Sequence, residues 1–259
     1  MKLYFVYSAA YEEALIEENV PILLSYAYRN AKHPYPVLPK FAPEIFIDSG
    51  AFTIQKSGYV SLDAYGFWLN QVLGKYPITL YANLDVIGTN EGSGEATLRN
   101  QKYLEEKWGL RPLPTWHAGE PDYYLDYYCD NYEYVAIGAL VTGTTSVTAQ
   151  KRMWLWINDR HPNTKFHLFG VGVKGARVLT VKRAESSDFS TWLVPAMFGH
   201  TVIRDKRQMI REVEMSKEDK LRMRVRSNAI AEMKSIIRIM KWYQDEVENC
   251  KEDPQGVLL

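Results

Sequence analysis

Three carboxylates stand where a protein built from successive apolar strands would place its chemistry. Asp48 closes the run Glu44–Asp48 and is followed by Ser49-Gly50, Asp85 closes Ile78–Asp85 as Asn83-Leu84-Asp85, and Asp188 lies in the weaker run Ala184–Ser190. A fourth polar ending is Trp116-His117-Ala118-Gly119. Carboxylates that converge on one mouth are costly to hold ionised together, an arrangement that suits acid/base or nucleophilic work. Each Asp alone is explained by capping a turn or helix; the set points to a site. For His117, contact with a ligand and a hydrogen bond to a loop carbonyl are balanced readings, whereas His167 lies within a strand and reads as core packing. Gly138-Ala139 and Gly170-Val171-Gly172 end two further runs, where small residues admit a planar ligand or serve a tight turn. Phe52 and Trp116 are candidates for stacking on a base, with simple packing as the alternative.

The elements that must carry these residues repeat in a regular order. Eight short apolar runs, Lys2–Ser8, Pro21–Ala27, Glu44–Asp48, Ile78–Asp85, Leu113–His117, Tyr134–Leu140, Lys165–Gly172 and Ala184–Ser190, read as strands. Between them, Ser61–Gly74, Glu95–Trp108, Pro121–Cys129 and Ser146–Arg160 read as helices, each opened by Ser, Glu or Pro. Alternation of this kind predicts a parallel sheet, and eight repeats predict an α/β (β/α)8 TIM barrel rather than an open doubly wound sheet. The segment Ser216–Glu248 carries Leu221, Val225, Ile230, Met233, Ile236, Ile237 and Met240 at helical spacing, which predicts a long C-terminal helix or a pair packed on the barrel. With no repeat and no linker, residues 1–259 read as one domain, a barrel over about 1–212 and a helical extension over about 213–259.

Composition narrows the class. The 259 residues are 46% hydrophobic and 24% charged, ordinary for a globular chain. No run of 18 apolar residues occurs, and the first 20 residues meet acidic side chains too early for a signal peptide, so a cytoplasmic protein without a membrane span is expected. Two cysteines, Cys129 and Cys250, provide neither a disulfide framework nor a four-cysteine zinc site. The net charge is zero, but residues 1–150 hold 10 Lys and Arg against 17 Asp and Glu, leaving 21 against 14 for the rest. That asymmetry fits either a face that meets a polyanion or solvated helix faces of opposite sign. The basic clusters are Lys174, Arg177, Lys182 and Arg183 beside Asp188, then Arg204, Lys206, Arg207 and Arg211, and finally Arg222, Arg224 and Arg226, where flanking of a packed stripe is the stronger reading.

Several of these segments resemble the tRNA-guanine transglycosylase superfamily. Asp48-Ser49-Gly50-Ala51-Phe52-Thr53 is similar to its DSGGFQ segment, Ala136-Ile137-Gly138-Ala139-Leu140 to its AIGGL-type motif, and Leu168-Phe169-Gly170-Val171-Gly172 to its LMGVG. Ser187-Asp188-Phe189 occupies the place of the nucleophile segment, and Asp85 that of the base-recognising aspartate, with order and spacing agreeing over about 44–192. Thr53 and Ala139 depart from the usual Gln and Gly, and Cys250 is the sole cysteine beyond Asp188, so the zinc site of the tRNA enzymes cannot form. A shortened, zinc-less chain looks most like the DNA-modifying branch of phages and bacterial modification clusters, which exchanges guanine in DNA for a 7-deazaguanine such as preQ0.

The resemblance implies a division of labour. Asp188 would attack C1′ to form a covalent intermediate, Asp48 would shuttle the proton, and Asp85 would accept from the purine edge. Ser49, Phe52, His117, Gly138, Ala139, Leu140, Gly170 and Gly172 would surround the base. Motif position gives Asp188 the nucleophile's part, though the residues alone allow Asp48 and Asp188 to trade roles. A base inside a stacked duplex is out of reach, so DNA would be read with its guanine flipped or as a single strand, held by Lys174, Arg177, Lys182, Arg183, Arg204, Lys206 and Arg207. Beyond the deazaguanine co-substrate no cofactor or metal is called for, and a homodimer is open. Two other readings remain: a zinc-independent tRNA enzyme, and a non-catalytic nucleic-acid-binding partner subunit, for which paired carboxylates would be superfluous.

Overall fold

The computed structural model describes residues 1–28, 38–53, 60–88, 91–138, 146–171, 184–206 and 209–249. Eight strands, β1 Lys2–Val6, β2 Ile22–Ser25, β3 Ile45–Asp48, β4 Ile78–Tyr81, β5 Thr115–His117, β6 Tyr134–Gly138, β7 Lys165–Leu168 and β8 Ser186–Phe189, form one all-parallel sheet in the order β4-β3-β2-β1-β8-β7-β6-β5. Each falls within an expected run. Most were legible because parallel strands covered on both faces are largely apolar, and β8, Ser186-Ser187-Asp188-Phe189, was the weakest signal.

The sheet curls so that alternate side chains part company. Tyr4, Leu23, Phe46, Ala82, Leu113 and Ala136 form an inner cluster. Their strand neighbours Leu3, Phe5, Ile22, Leu24, Ile45 and Ile47 pack in one outer core, and Val135, Ile137, Phe166 and Leu168 in another. Closure is less complete than the expected barrel. Between the edge strands β4 and β5 there is no ladder among the described residues; one parallel bridge, Ala82 to Leu113, joins them. Its hydrogen bonds run from the Leu113 amide to the Tyr81 carbonyl at 2.8 Å and from the Asn83 amide to the Leu113 carbonyl at 3.0 Å.

The helices are α1 Glu12–Glu18, α2 Leu62–Val72, α3 Glu91–Trp108, α4 Asp122–Asn131, α5 Val147–Arg160, α6 Val194–Phe198, α7 Lys217–Arg222 and α8 Arg226–Asn249. Ser61 and Ser146 cap α2 and α5 by accepting from the amides of Ala64 and Ala149, satisfying otherwise orphaned donors. The C-terminal segment is a pair of helices. Ile230, Met233, Ile236, Ile237 and Met240 of α8 are fully buried against the β1 side, and Arg238 and Lys234 pair with Glu18 and Glu17 of α1. Leu221 and Val225, expected in the same packed stripe, are instead 60% and 54% exposed because the chain turns between α7 and α8. An antiparallel hairpin, β9 His200–Arg204 with β10 Ile210–Glu214, comes between the sheet and these helices in chain order. It was not foreseen: its strands mix polar and apolar residues without a clean period. Among the described residues no helix is long and apolar enough to cross a membrane.

Candidate active site

Parallel strands deliver their C-terminal ends to one edge, and Asp48, the Asp85 segment, His117 and Gly138 all lie there. Asp48 is the last residue of β3 and pairs in register with Ser25, the last of β2. Its carboxylate takes hydrogen bonds from the Ser25 hydroxyl and the Gly50 amide. Gly50 has φ +77, and a Cβ there would lie 2.6 Å from Ser25 Oγ and 2.5 Å from Ala27 Cβ, so the tight turn needs glycine. Burial first, then the negative charges of Asp85 and Asp188, outweigh those hydrogen bonds and push the Asp48 carboxyl up to about 7. Asp48 therefore feels both other acids, the convergence expected from the sequence.

Asp85 is held by side chains of α3. Asn83 Nδ2 donates to the Thr97 carbonyl at 2.9 Å, the Val86 amide to Thr97 Oγ1 at 2.9 Å, and Asn100 Nδ2 to the Leu84 carbonyl at 2.6 Å. These bonds fix an irregular segment that would otherwise leave buried backbone groups unpaired. Ser49 Oγ donates to Asp85 Oδ1 at 3.1 Å, and His117 Nε2 lies 2.9 Å from Asp85 Oδ2. The other ring nitrogen, Nδ1, is 3.3 Å from Glu120 Oε1, while Glu120 Oε2 accepts from the His117 amide at 3.0 Å and Ser93 Oγ donates to Oε1 at 3.1 Å. Burial alone would depress the imidazole, but hydrogen bonds and charge from Asp85 and Glu120 overturn this and raise His117 to about 10. An imidazolium thus sits between two carboxylates. Gly138 is paired with His117 in register, and a Cβ there would come within 2.5 Å of His117 Cδ2; the space serves the ring. With both nitrogens engaged, His117 acts on Asp85 and Glu120 rather than presenting a free nitrogen to a base.

Asp188 is 7% exposed on β8. Its Oδ1 accepts from the Gly170 amide at 2.7 Å and lies 3.5 Å from His167 Nε2, so the buried imidazole read from sequence as packing faces the carboxylate. Burial pushes His167 down despite Asp188. Phe52 is 58% exposed beside Asp48 and Ser49 and offers an aromatic face, whereas Trp116 is 1% exposed and belongs to the core, which removes it as a stacking surface.

The basic residues divide. Arg204 stacks over the Trp242 ring at 4.5 Å, Arg211 pairs with Asp205, and Lys206, Arg222, Arg224 and Arg226 are exposed. Ala139, Leu140, Gly172, Lys174, Arg177, Lys182, Arg183 and Arg207 lie outside the described residues. Glu120 is the functional-looking acid that sequence reasoning missed; its signal was the His117-x-x-Glu120 spacing after a strand end. Among the described residues no three His, Cys, Asp or Glu side chains come together as a metal site. No protein-family model matches the chain, and no curated protein matches it either.

Proposed function

We infer that the chain is a DNA guanine transglycosylase of (β/α)8-barrel type that exchanges guanine for a 7-deazaguanine base such as preQ0. The bridge between Ala82 and Leu113 supports the barrel reading, since it joins the two edges of the eight-stranded sheet. The observation that carries the chemistry is one acid poised near neutrality beside two others: Asp48 at about 7, within the fields of Asp85 and Asp188.

In this reading the Asp188 carboxylate attacks C1′ as the bond to guanine N9 breaks, and Asp48 delivers a proton to the leaving base. The incoming deazaguanine then loses its proton to Asp48 and displaces Asp188, so two inversions retain the sugar's configuration. An acid that titrates near 7 can serve in both directions at neutral pH. Asp85, oriented by Ser49 and His117, offers its remaining lone pairs to the N–H groups of the purine edge. Phe52 is the stacking surface for the extruded base, and exposed Lys206 and the arginines of the α7–α8 turn are candidates for phosphate contact.

The test is incorporation of radiolabelled guanine or preQ0 into duplex DNA and, in parallel, into unmodified tRNA. Label entering DNA with the wild type and not with Asp188→Ala supports the proposal. Label entering tRNA alone would move the substrate to RNA, and label in neither would turn the reading towards a binding subunit.

A further inference from the structure

A line of polar groups runs through the largely apolar interior of the sheet and ends on Asp188. Tyr134 stands at the start of β6, and its hydroxyl is 2.5 Å from Ser186 Oγ. Ser186 Oγ is 2.6 Å from His167 Nδ1, across the register pair His167 and Ser186 of β7 and β8. The far nitrogen, Nε2, makes no hydrogen bond among the described residues and faces Asp188 Oδ1 across 3.5 Å. The ring is fully buried and clamped edge-on by Phe46 and Phe169, with centroids 4.7 and 4.6 Å away at 85° and 76°.

Packing alone gives no reason for an imidazole here, because an apolar ring would avoid the desolvation cost. The polarity of the line follows from its end. A carboxylate only accepts, so Nε2 must carry the proton that faces Asp188. Burial drives His167 towards the neutral form, in which Nδ1 is then an acceptor. Ser186 must donate to Nδ1, and its oxygen is left to accept from Tyr134. Both hydrogen bonds then point towards His167, and the Nε2 proton points on to Asp188. Both contacts of Asp188, from Gly170 and from His167, fall on Oδ1, and Oδ2 has none among the described residues.

We propose that His167 is a positioning residue for Asp188: Ser186 and Tyr134 fix its Nε2–H tautomer, which with the Gly170 amide holds Oδ1 and leaves Oδ2 as the attacking oxygen. The separation of 3.5 Å is at the outer edge of hydrogen bonding, a slack that closes when substrate binds at many active sites. This inference rests on Asp188 being the nucleophile.

Two measurements on the full chain separate its fate from that of the proposed function. Nitrogen-15 NMR of ring-labelled histidines, with His167 assigned by its loss in His167→Phe, is expected to show the neutral Nε2–H tautomer at pH 7. Ser186→Ala should weaken that preference, and Asp188→Asn should shift the Nε2 signal. An Nδ1–H or doubly protonated ring, or a signal indifferent to Asp188→Asn, would overturn the proposal whether or not the protein exchanges bases. In the base-exchange assay, His167→Phe should lower kcat about 10- to 100-fold with KM little changed, and His167→Gln, whose amide can reach Asp188, should recover part of it. Equal losses in Phe and Gln variants would count against positioning. If His167→Phe does not fold, Ser186→Ala, which removes one hydroxyl, should still lower kcat severalfold; an unchanged kcat would refute the role of the line. A wild type without exchange activity sinks the proposed function, while the tautomer measurement still decides the orientation of His167 on Asp188.

Discussion

His117 at the end of β5 and His167 within β7 are both buried in one sheet, both face an aspartate, and they are shifted in opposite directions. His117 has two carboxylates, Asp85 and Glu120, whose hydrogen bonds and charge outweigh burial. His167 has one, at longer range, and burial wins. Desolvation is the leading influence in both; the number and distance of acceptors decide the sign. The β4–β5 side is therefore built from compensated charge, and the β7–β8 side from a neutral ring next to the carboxylate that the proposed mechanism uses as nucleophile.

The largest expected effect tests whether the two sides differ in purpose. Asp188→Ala should lower base exchange about 10⁴-fold or more, measured as single-turnover label incorporation, with little change in unfolding free energy. His117→Gln should act chiefly on stability. It strips the cation from between Asp85 and Glu120 and should cost about 3–5 kcal/mol in urea unfolding at pH 7; a cost below about 1 kcal/mol would mean that His117 is not charged in the fold.

A smaller effect separates the two titrations by pH. Asp48 is raised from 3.8 to about 7, so between those values the folded state holds a proton that the unfolded chain has lost. Its contribution to stability falls as pH rises from about 4 to 7 and then levels, by about 2–4 kcal/mol. His117, raised from 6.5 to about 10, adds stability that is complete below 6.5 and lost through 10. Unfolding curves of Asp48→Asn should lose the first decline and keep the second. The smallest effect concerns the room given to the charged ring. Gly138→Ala, whose Cβ would press on His117 Cδ2, should cost about 1–3 kcal/mol; unchanged stability in thermal melts would show that the ring has space to move.

Much of this was legible in the chain. The eight strands were visible as apolar runs, and Asp48, Asp85 and His117 as polar endings, because a parallel sheet sends every strand's C-terminus to one side. What stayed hidden depended on register or on irregular backbone. That His167 meets Ser186 and Asp188 follows from the alignment of β7 with β8, which no single strand encodes. Glu120 lies in the turn after β5, where no period guides the reading. The hairpin was obscured because Arg204 and Arg211 drew attention as charges, whereas one stacks on Trp242 and the other closes a pair with Asp205.

The seam between β4 and β5 carries one more implication. Two main-chain hydrogen bonds join the edges there, and directly beyond them the contact between Asp85 and His117 crosses the same gap. The wall of the sheet is thus fastened at that point partly by an ion pair, which lasts only while the imidazole stays protonated. Above pH 10 the deuterium uptake of the Asn83 and Leu113 amides should accelerate ahead of the rest of the sheet, making this suture the place where the molecule begins to open.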